Sequence, residues 1–122
     1  MGTHRPQKRF GQHFLTDQRA LDRIIEIISP SESSSIVEIG PGKGVLTLPL
    51  AKSGCQLTAV EFDRDLIRPL EKKLAAFPRV RVVEQDFLEF VPEESLGSFT
   101  LVGNIPYNIT SPVIEWCTRY VD

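Results

Sequence analysis

Cysteine, histidine, methionine and tryptophan are all scarce in this 122-residue chain, with two, two, one and one copies. Cys55 and Cys117 are too few for a disulfide scaffold, and neither stands in a close-spaced metal-binding pattern. They read as free thiols in a reducing cytoplasm, the expected location. His4 and His13 have no further ligand close by in sequence, so no metal site is expected. No apolar run reaches the ~18 residues that a membrane helix needs, and the basic N-terminus carries no apolar signal core. Repeats and low-complexity tracts are absent apart from a serine cluster at 31–35.

What is present is an ordinary globular composition: 41% hydrophobic and 25% charged residues, which argues against disorder. The length fits one domain or a piece of one. Fourteen Lys and Arg against 16 Asp and Glu leave a net charge of −2, unevenly placed. Residues 1–23 hold Arg5, Lys8, Arg9, Arg19 and Arg23 against Asp17 and Asp22, a surplus of three positive charges. A basic arm on an acidic body suits a polyanionic partner at the arm, and equally a solvated terminus.

Helical and extended patterns alternate along the chain. Leu21, Ile24, Ile25 and Ile28 share a helical face, with Thr16 or Asp17 as cap and Ser29-Pro30 as stop. Ile36 to Ile39 reads as an apolar strand running into Gly40-Pro41-Gly42-Lys43-Gly44. A helix is expected from Val45 to before Gly54, kinked or tightened by Pro49. Gln56 to Glu61 gives a second strand. Leu66, Leu70 and Leu74 then mark a helix capped by Asp63 or Asp65, whose Pro69 requires a late start near Asp65. Val80 to Glu84 and Phe99 to Gly103 are the third and fourth strands, and a last helix begins at Ser111.

This alternation predicts an α/β fold, a parallel sheet with helices on both faces. Right-handed crossovers set the partial strand order 3-2-1-4. Strand four would then be an apolar edge, so the chain is expected to be the front half of a larger domain.

In an open sheet of this kind, ligands bind outside the carboxyl ends of the strands. The loop 40–44 lacks Walker spacing, and it misses the dinucleotide fingerprint because Val45 stands where a third glycine is required. Taken alone, the loop could be a tight strand–helix turn. Its G-x-G-x-G pattern after Glu38 resembles motif I of S-adenosylmethionine (SAM)-dependent methyltransferases, where glycine lets the backbone approach the methionine part of the ligand. Glu61 ends strand two about 20 residues on, placed to accept from both ribose hydroxyls. Asp86 follows strand three, placed to accept from an adenine amine. Three such features at three consecutive strand ends imply a nucleoside-bearing cofactor.

Asn104-Ile105-Pro106-Tyr107 is the most specific segment. A nucleobase amine is a poor nucleophile, because its lone pair is delocalised into the ring. Methylating it requires acceptors for both N–H groups, and the Asn104 side-chain carbonyl and the Ile105 backbone carbonyl would supply them. Pro106 fixes the turn, and Tyr107 offers a face for an extruded base. Catalysis is then mostly positioning.

Arg9-Phe10-Gly11-Gln12-His13-Phe14-Leu15, Val37-Glu38-Ile39-Gly40-Pro41-Gly42, Glu61, Asp86 and Asn104-Ile105-Pro106-Tyr107-Asn108-Ile109 together resemble the rRNA adenine N6-dimethyltransferases, nearest to their bacterial small-subunit branch. The resemblance spans nearly all of residues 7–117. It implies an N-terminal part of a class I, Rossmann-like methyltransferase: an arm, residues 1–15, folding over the cofactor, and a truncated SAM-binding domain, residues 16–122. The implied reaction is SAM-dependent dimethylation of two adjacent adenosines near the 3′ end of small-subunit rRNA, in the 30S precursor particle. It also implies that His13 and Leu15 contact SAM, that Gly40 and Gly42 shape the methionine pocket, and that Glu61 and Asp86 hold ribose and adenine. Asn104 would touch both cofactor and target amine, with Tyr107 stacking on the target base. His13 stands where the family often has Asn.

Family members run to more than twice this length, so the chain alone is expected to bind SAM without robust methyl transfer, and the full-length protein to be a monomer. Two competing readings remain at this point. DNA adenine methyltransferases share the amine geometry but carry Asp-Pro-Pro-Tyr and lack the N-terminal arm. A ribosome-assembly or RNA-binding factor could keep the fold with dispensable catalysis. An NAD-dependent oxidoreductase fits Glu61 but leaves Val45 and the 104–107 tetrapeptide unexplained.

Overall fold

The structure, a computed structural model, describes residues 17–103 and 110–120. The arm at 1–15 and the tetrapeptide 104–107 lie outside the described residues. The elements run α1 (Gln18–Ile28), β1 (Ser35–Ile39), α2 (Thr47–Lys52), β2 (Gln56–Glu61), α3 (Arg64–Leu74), β3 (Val80–Glu84), β4 (Thr100–Gly103) and α4 (Thr110–Tyr120). Two single 3-10 turns, Phe87–Glu89 and Glu94–Leu96, carry the chain from β3 to β4.

All three strand pairings are parallel, and the sheet order is β3-β2-β1-β4. The predicted order is therefore the observed one. Its cause is visible in burial: after their first residue, β1 and β2 are buried at every position, while flanking β3 and β4 are only half-buried or exposed. A strand covered on both faces needs an unbroken apolar run, and Ile36 to Ile39 and Leu57 to Val60 supply two.

One face of the sheet packs Ile36 and Leu57 against Leu21 of α1, Leu50 of α2 and Leu70 and Leu74 of α3. The other packs Val37, Ile39 and Val60 against Phe87, Phe90, Leu96, Val113 and Trp116. Trp116 anchors this second core: it is 2% exposed, donates its indole N–H to the Phe90 carbonyl at 2.9 Å, and lies 4.4 Å from the Phe87 ring. Among the described residues no helix is long and apolar enough to cross a membrane.

Both prolines fall within helices, as expected. Helix α2 begins at Thr47, two residues after the expected Val45, and Pro49 falls in its first turn. On either side of it the Leu48 and Leu50 N–H groups donate to the Gly44 and Leu46 carbonyls at 3.0 and 3.2 Å, and proline leaves out the bond between them. Pro69 sits in the interior of α3, which begins at Arg64, next to the expected Asp65, behind the Asp63 cap. An interior proline costs a helix about 3 kcal/mol. Burial of Ile67, Leu70 and Leu74 on the same helix offsets this, at about 1.5–3 kcal/mol for each side chain.

The register brings the carboxyl ends of the strands level. Ile39 pairs with Val60 on one side and with Gly103 on the other. Gly103 is a packing requirement: a Cβ there would stand 2.9 Å from Ile39 Cβ and 3.0 Å from its carbonyl oxygen. Only glycine lets β4 close on β1 at that point, and Asn104 is the next residue of the chain.

Candidate functional site

The loop between β1 and α2 starts where the sheet ends. Gly40 continues the ladder by donating its N–H to the Val60 carbonyl at 2.9 Å, and then turns out of it with φ of 61°. A side chain would be strained in that conformation. It would not be crowded, since nothing lies within 4 Å of a Cβ built on Gly40. The backbone here faces open space, where a ligand can approach it closely.

Glu61, the last residue of β2, is 7% exposed and reaches across to this loop. Its Oε1 accepts the Gly42 N–H at 3.0 Å, and its Oε2 accepts the Asp63 N–H at 2.9 Å. One carboxylate therefore fixes both the glycine loop and the turn into α3. Spacing alone placed Glu61 at a strand end; it did not reveal that the side chain is also the loop's anchor. Each oxygen of a carboxylate has capacity for a second donor, so the anchoring leaves acceptor capacity for ligand hydroxyls.

Asp86 lies just past β3, as expected from the sequence. Its Oδ1 accepts the Leu88 N–H at 3.0 Å and caps a 3-10 turn. Gly40, Gly42, Glu61 and Asp86 are thus brought to one edge of the sheet. His13, Leu15 and Asn104 to Tyr107 lie outside the described residues.

Three further residues at this edge, Thr47, Lys73 and Phe62, escaped the sequence reading, as did the partner of Glu38. Glu38 is 2% exposed, and its Oε1 accepts the Thr47 hydroxyl proton at 2.6 Å. Burial pushes the Glu38 carboxyl up to about 7; the Thr47 hydrogen bond opposes the rise and the nearby Glu61 charge adds to it. Lys73 of α3 donates to the Lys43 carbonyl at 2.6 Å, a third tie on the loop. Phe62, beside Glu61, is 72% exposed and offers an apolar face at the strand end. An aromatic in an otherwise charged turn, Glu61-Phe62-Asp63-Arg64, was the available signal for Phe62. Nothing in sequence pairs Glu38 with Thr47 or Lys73 with Lys43.

A cavity of about 270 Å³ lies elsewhere, lined by Gln56, Thr58, Arg79, Arg81, Phe90 and Glu93 among others. These residues belong to the starts of β2 and β3 and to the segment before β4, the opposite end of the strands from Gly40. Arg81 is ion-paired to Glu93 there. Among the described residues no group of three His, Cys, Asp or Glu side chains could hold a metal ion.

A parallel α/β sheet with a glycine loop and an acidic second strand end defines a nucleoside-ligand-binding class of fold. Residues 3–122 match the model of the Ribosomal RNA adenine dimethylase family, and the chain belongs to that family. A relative from Hahella chejuensis, named Ribosomal RNA small subunit methyltransferase A, is 47% identical over 117 residues, which are 91% of this chain and 42% of that protein. The chain thus spans less than half the length of this curated relative. Among solved structures, 23S rRNA methyltransferase ErmE is 39% identical with a TM-score of 0.74, covering 85% of this chain and 42% of that one. A dimethyladenosine transferase from Plasmodium falciparum is 27% identical with a TM-score of 0.75, covering 86% and 38%. Glycopeptide N-methyltransferase MtfA in complex with SAM is 26% identical with a TM-score of 0.55, covering 68% and 35%.

Proposed function

We propose that this chain is the cofactor-binding part of a SAM-dependent enzyme that dimethylates N6 of two adjacent adenosines near the 3′ end of small-subunit rRNA. The observation that carries the reading is the edge just described. Glu61 anchors Gly42 while Gly40 leaves its backbone open, and β4 ends level with β1 at the Ile39–Gly103 pairing, one residue before Asn104 in the sequence. The family membership and the names of the relatives support the substrate class, and the SAM complex of MtfA supports the cofactor.

SAM fits the residues present, and when bound it supplies an electrophilic methyl group. Gly40 leaves room for the methionine end to lie against the backbone. Glu61 accepts from the ribose hydroxyls, Asp86 from the adenine amine, and exposed Phe62 shields one side of the nucleoside. His13 and Leu15 close over the cofactor from the arm. Asn104 and the Ile105 carbonyl take the two N–H groups of the target adenosine and aim its lone pair outward, while Tyr107 stacks on the base. No strong general base is needed, because the amine's proton becomes acidic only as the new N–C bond forms and can pass to solvent.

The partner is small-subunit rRNA in the precursor particle, and the arm's Lys8 and Arg9 add phosphate contacts whose contribution falls with salt. The chain by itself binds cofactor with little or no methyl transfer. Calorimetric titration with S-adenosylhomocysteine, with NAD as control, tests the reading. Selective binding lost in Glu61→Ala is the expected result; equal binding of NAD, or none by a folded chain, would overturn it.

A further inference from the structure

The two ends of the glycine loop are joined beneath it. Glu38 precedes the loop by two residues and Thr47 opens the helix that follows, and their side chains meet at 2.6 Å with 2% and 0% exposure. This is an unusual use of a core position. Burying a carboxylate disfavours its charged form, and an apolar pair of similar shape would close the same turn without that penalty. The loop above contains three glycines at positive φ, Gly40, Gly42 and Gly44, and glycine gives a chain many alternative conformations. Backbone bonds hold its ends, Gly40 N–H to the Val60 carbonyl and Leu48 N–H to the Gly44 carbonyl, and Gly44 N–H closes back on the Pro41 carbonyl. The side-chain ties among the described residues are Glu61 to the Gly42 N–H, Lys73 to the Lys43 carbonyl, and the Glu38–Thr47 bond at the base. Only the last joins the incoming strand directly to the outgoing helix, and so sets the distance across which Gly40 to Gly44 must arch.

We propose that Glu38 and Thr47 are a positioning pair that fixes the arch of the glycine loop for the amino-acid end of the cofactor. The pair acts through the loop backbone. This inference rests on the cofactor reading above and adds to it a specificity: the pair governs affinity for the methionine portion, while the nucleoside portion is held by Glu61 and Asp86. The raised Glu38 carboxyl, near 7, agrees with a group kept in place against a burial penalty. Thr47 being fully buried leaves its hydroxyl a fixed direction.

The test compares two ligands on the full chain: S-adenosylhomocysteine, which carries the amino-acid end, and 5′-methylthioadenosine, which lacks it. Thr47→Val keeps the side chain's shape and removes the hydroxyl. It should weaken S-adenosylhomocysteine about tenfold, the loss of one hydrogen bond's ordering effect, and leave 5′-methylthioadenosine within twofold of wild type. Thr47→Ser, which restores the hydroxyl, should recover the affinity. Unchanged S-adenosylhomocysteine affinity in a folded Thr47→Val, or equal losses for both ligands, would overturn the proposal. If circular dichroism shows Thr47→Val unfolded, Thr47→Ala takes its place. Amide exchange in the free protein separates this proposal from the cofactor reading. Faster exchange at Gly42, Gly44 and Leu48 in the variant supports the clamp even if wild type binds no cofactor, and unchanged exchange refutes it.

Discussion

The Glu61 carboxylate accepts the N–H of Gly42, nineteen residues away in sequence, at 3.0 Å. The bond ties the end of β2 to the loop that follows β1, and its other oxygen holds the Asp63 N–H at 2.9 Å. A residue assigned to a ligand is thus also part of the scaffold that shapes the ligand's pocket. Two consequences of one substitution can be separated on that basis.

Glu61→Ala should remove both the loop anchor and the acceptor for ligand hydroxyls. Hydrogen bonds to charged groups contribute about 1.5–3 kcal/mol each, so S-adenosylhomocysteine affinity should fall by at least about 30-fold. Glu61→Gln keeps one acceptor oxygen and should lose less. Calorimetric titration of both variants beside wild type checks the order; equal affinity in wild type and Glu61→Ala would contradict it.

Gly103→Ala addresses the junction of β1 and β4. The new methyl would stand 2.9 Å from Ile39 Cβ, closer than such atoms approach, so the strands must part or shift. Overpacking of this kind costs about 1–3 kcal/mol. For a chain of this size, each kcal/mol lowers Tm by roughly 4–8 °C. Thermal unfolding followed by circular dichroism measures it. The variant should also weaken methyl transfer by any longer protein containing this segment, because Asn104, proposed to hold the target amine, is the next residue in the sequence.

The strand order and all four strands were legible in the sequence because period and punctuation agree there. Ile36 to Ile39 ends at Gly40, Gln56 to Glu61 starts after Gly54, and right-handed crossovers admit one order. The start of α2 was less legible. The first turn of α2 is decided by the loop's hydrogen bonds, such as Leu48 N–H to Gly44 carbonyl at 3.0 Å, and not by the propensity of Val45. Pro69 inside α3 is tolerated through tertiary burial of its neighbours, which no local rule encodes. The candidate site divides the same way. The strand-end positions of Gly40, Glu61 and Asp86 follow from topology. Thr47 and Lys73 act through contacts that form only once α2 and α3 pack on the sheet.

Trp116 should carry much of the second core. It is 2% exposed, packs at a tilt against Phe87 and Tyr120 with ring centroids 4.4 and 4.7 Å away, and donates to the Phe90 carbonyl. Trp116→Ala should cost about 3–5 kcal/mol and release α4 from the sheet. Trp116→Phe keeps the ring contact but strands the Phe90 carbonyl, for a smaller loss near 1–3 kcal/mol. Denaturant unfolding ranks the two, and comparable stability in Trp116→Ala and wild type would show that α4 packs differently.

Glu38 makes stability depend on pH in a direction opposite to most carboxylates. Its folded-state pKa, about 7, lies above the ordinary 4.5, because burial disfavours the charge. Between those values the folded chain holds a proton that the unfolded chain has released. Stability therefore falls as pH rises through this window, and it is fully present below about 4.5. The loss by neutral pH is on the order of 3 kcal/mol at most. Other carboxylates titrate in the same range, so the difference between wild type and Glu38→Gln isolates the effect. The amide cannot ionise, and its stability relative to wild type should rise steadily from pH 5 to pH 7.5. Denaturant midpoints across that range provide the measurement. Parallel curves for the two proteins would mean that Glu38 titrates as an ordinary, solvated carboxylate.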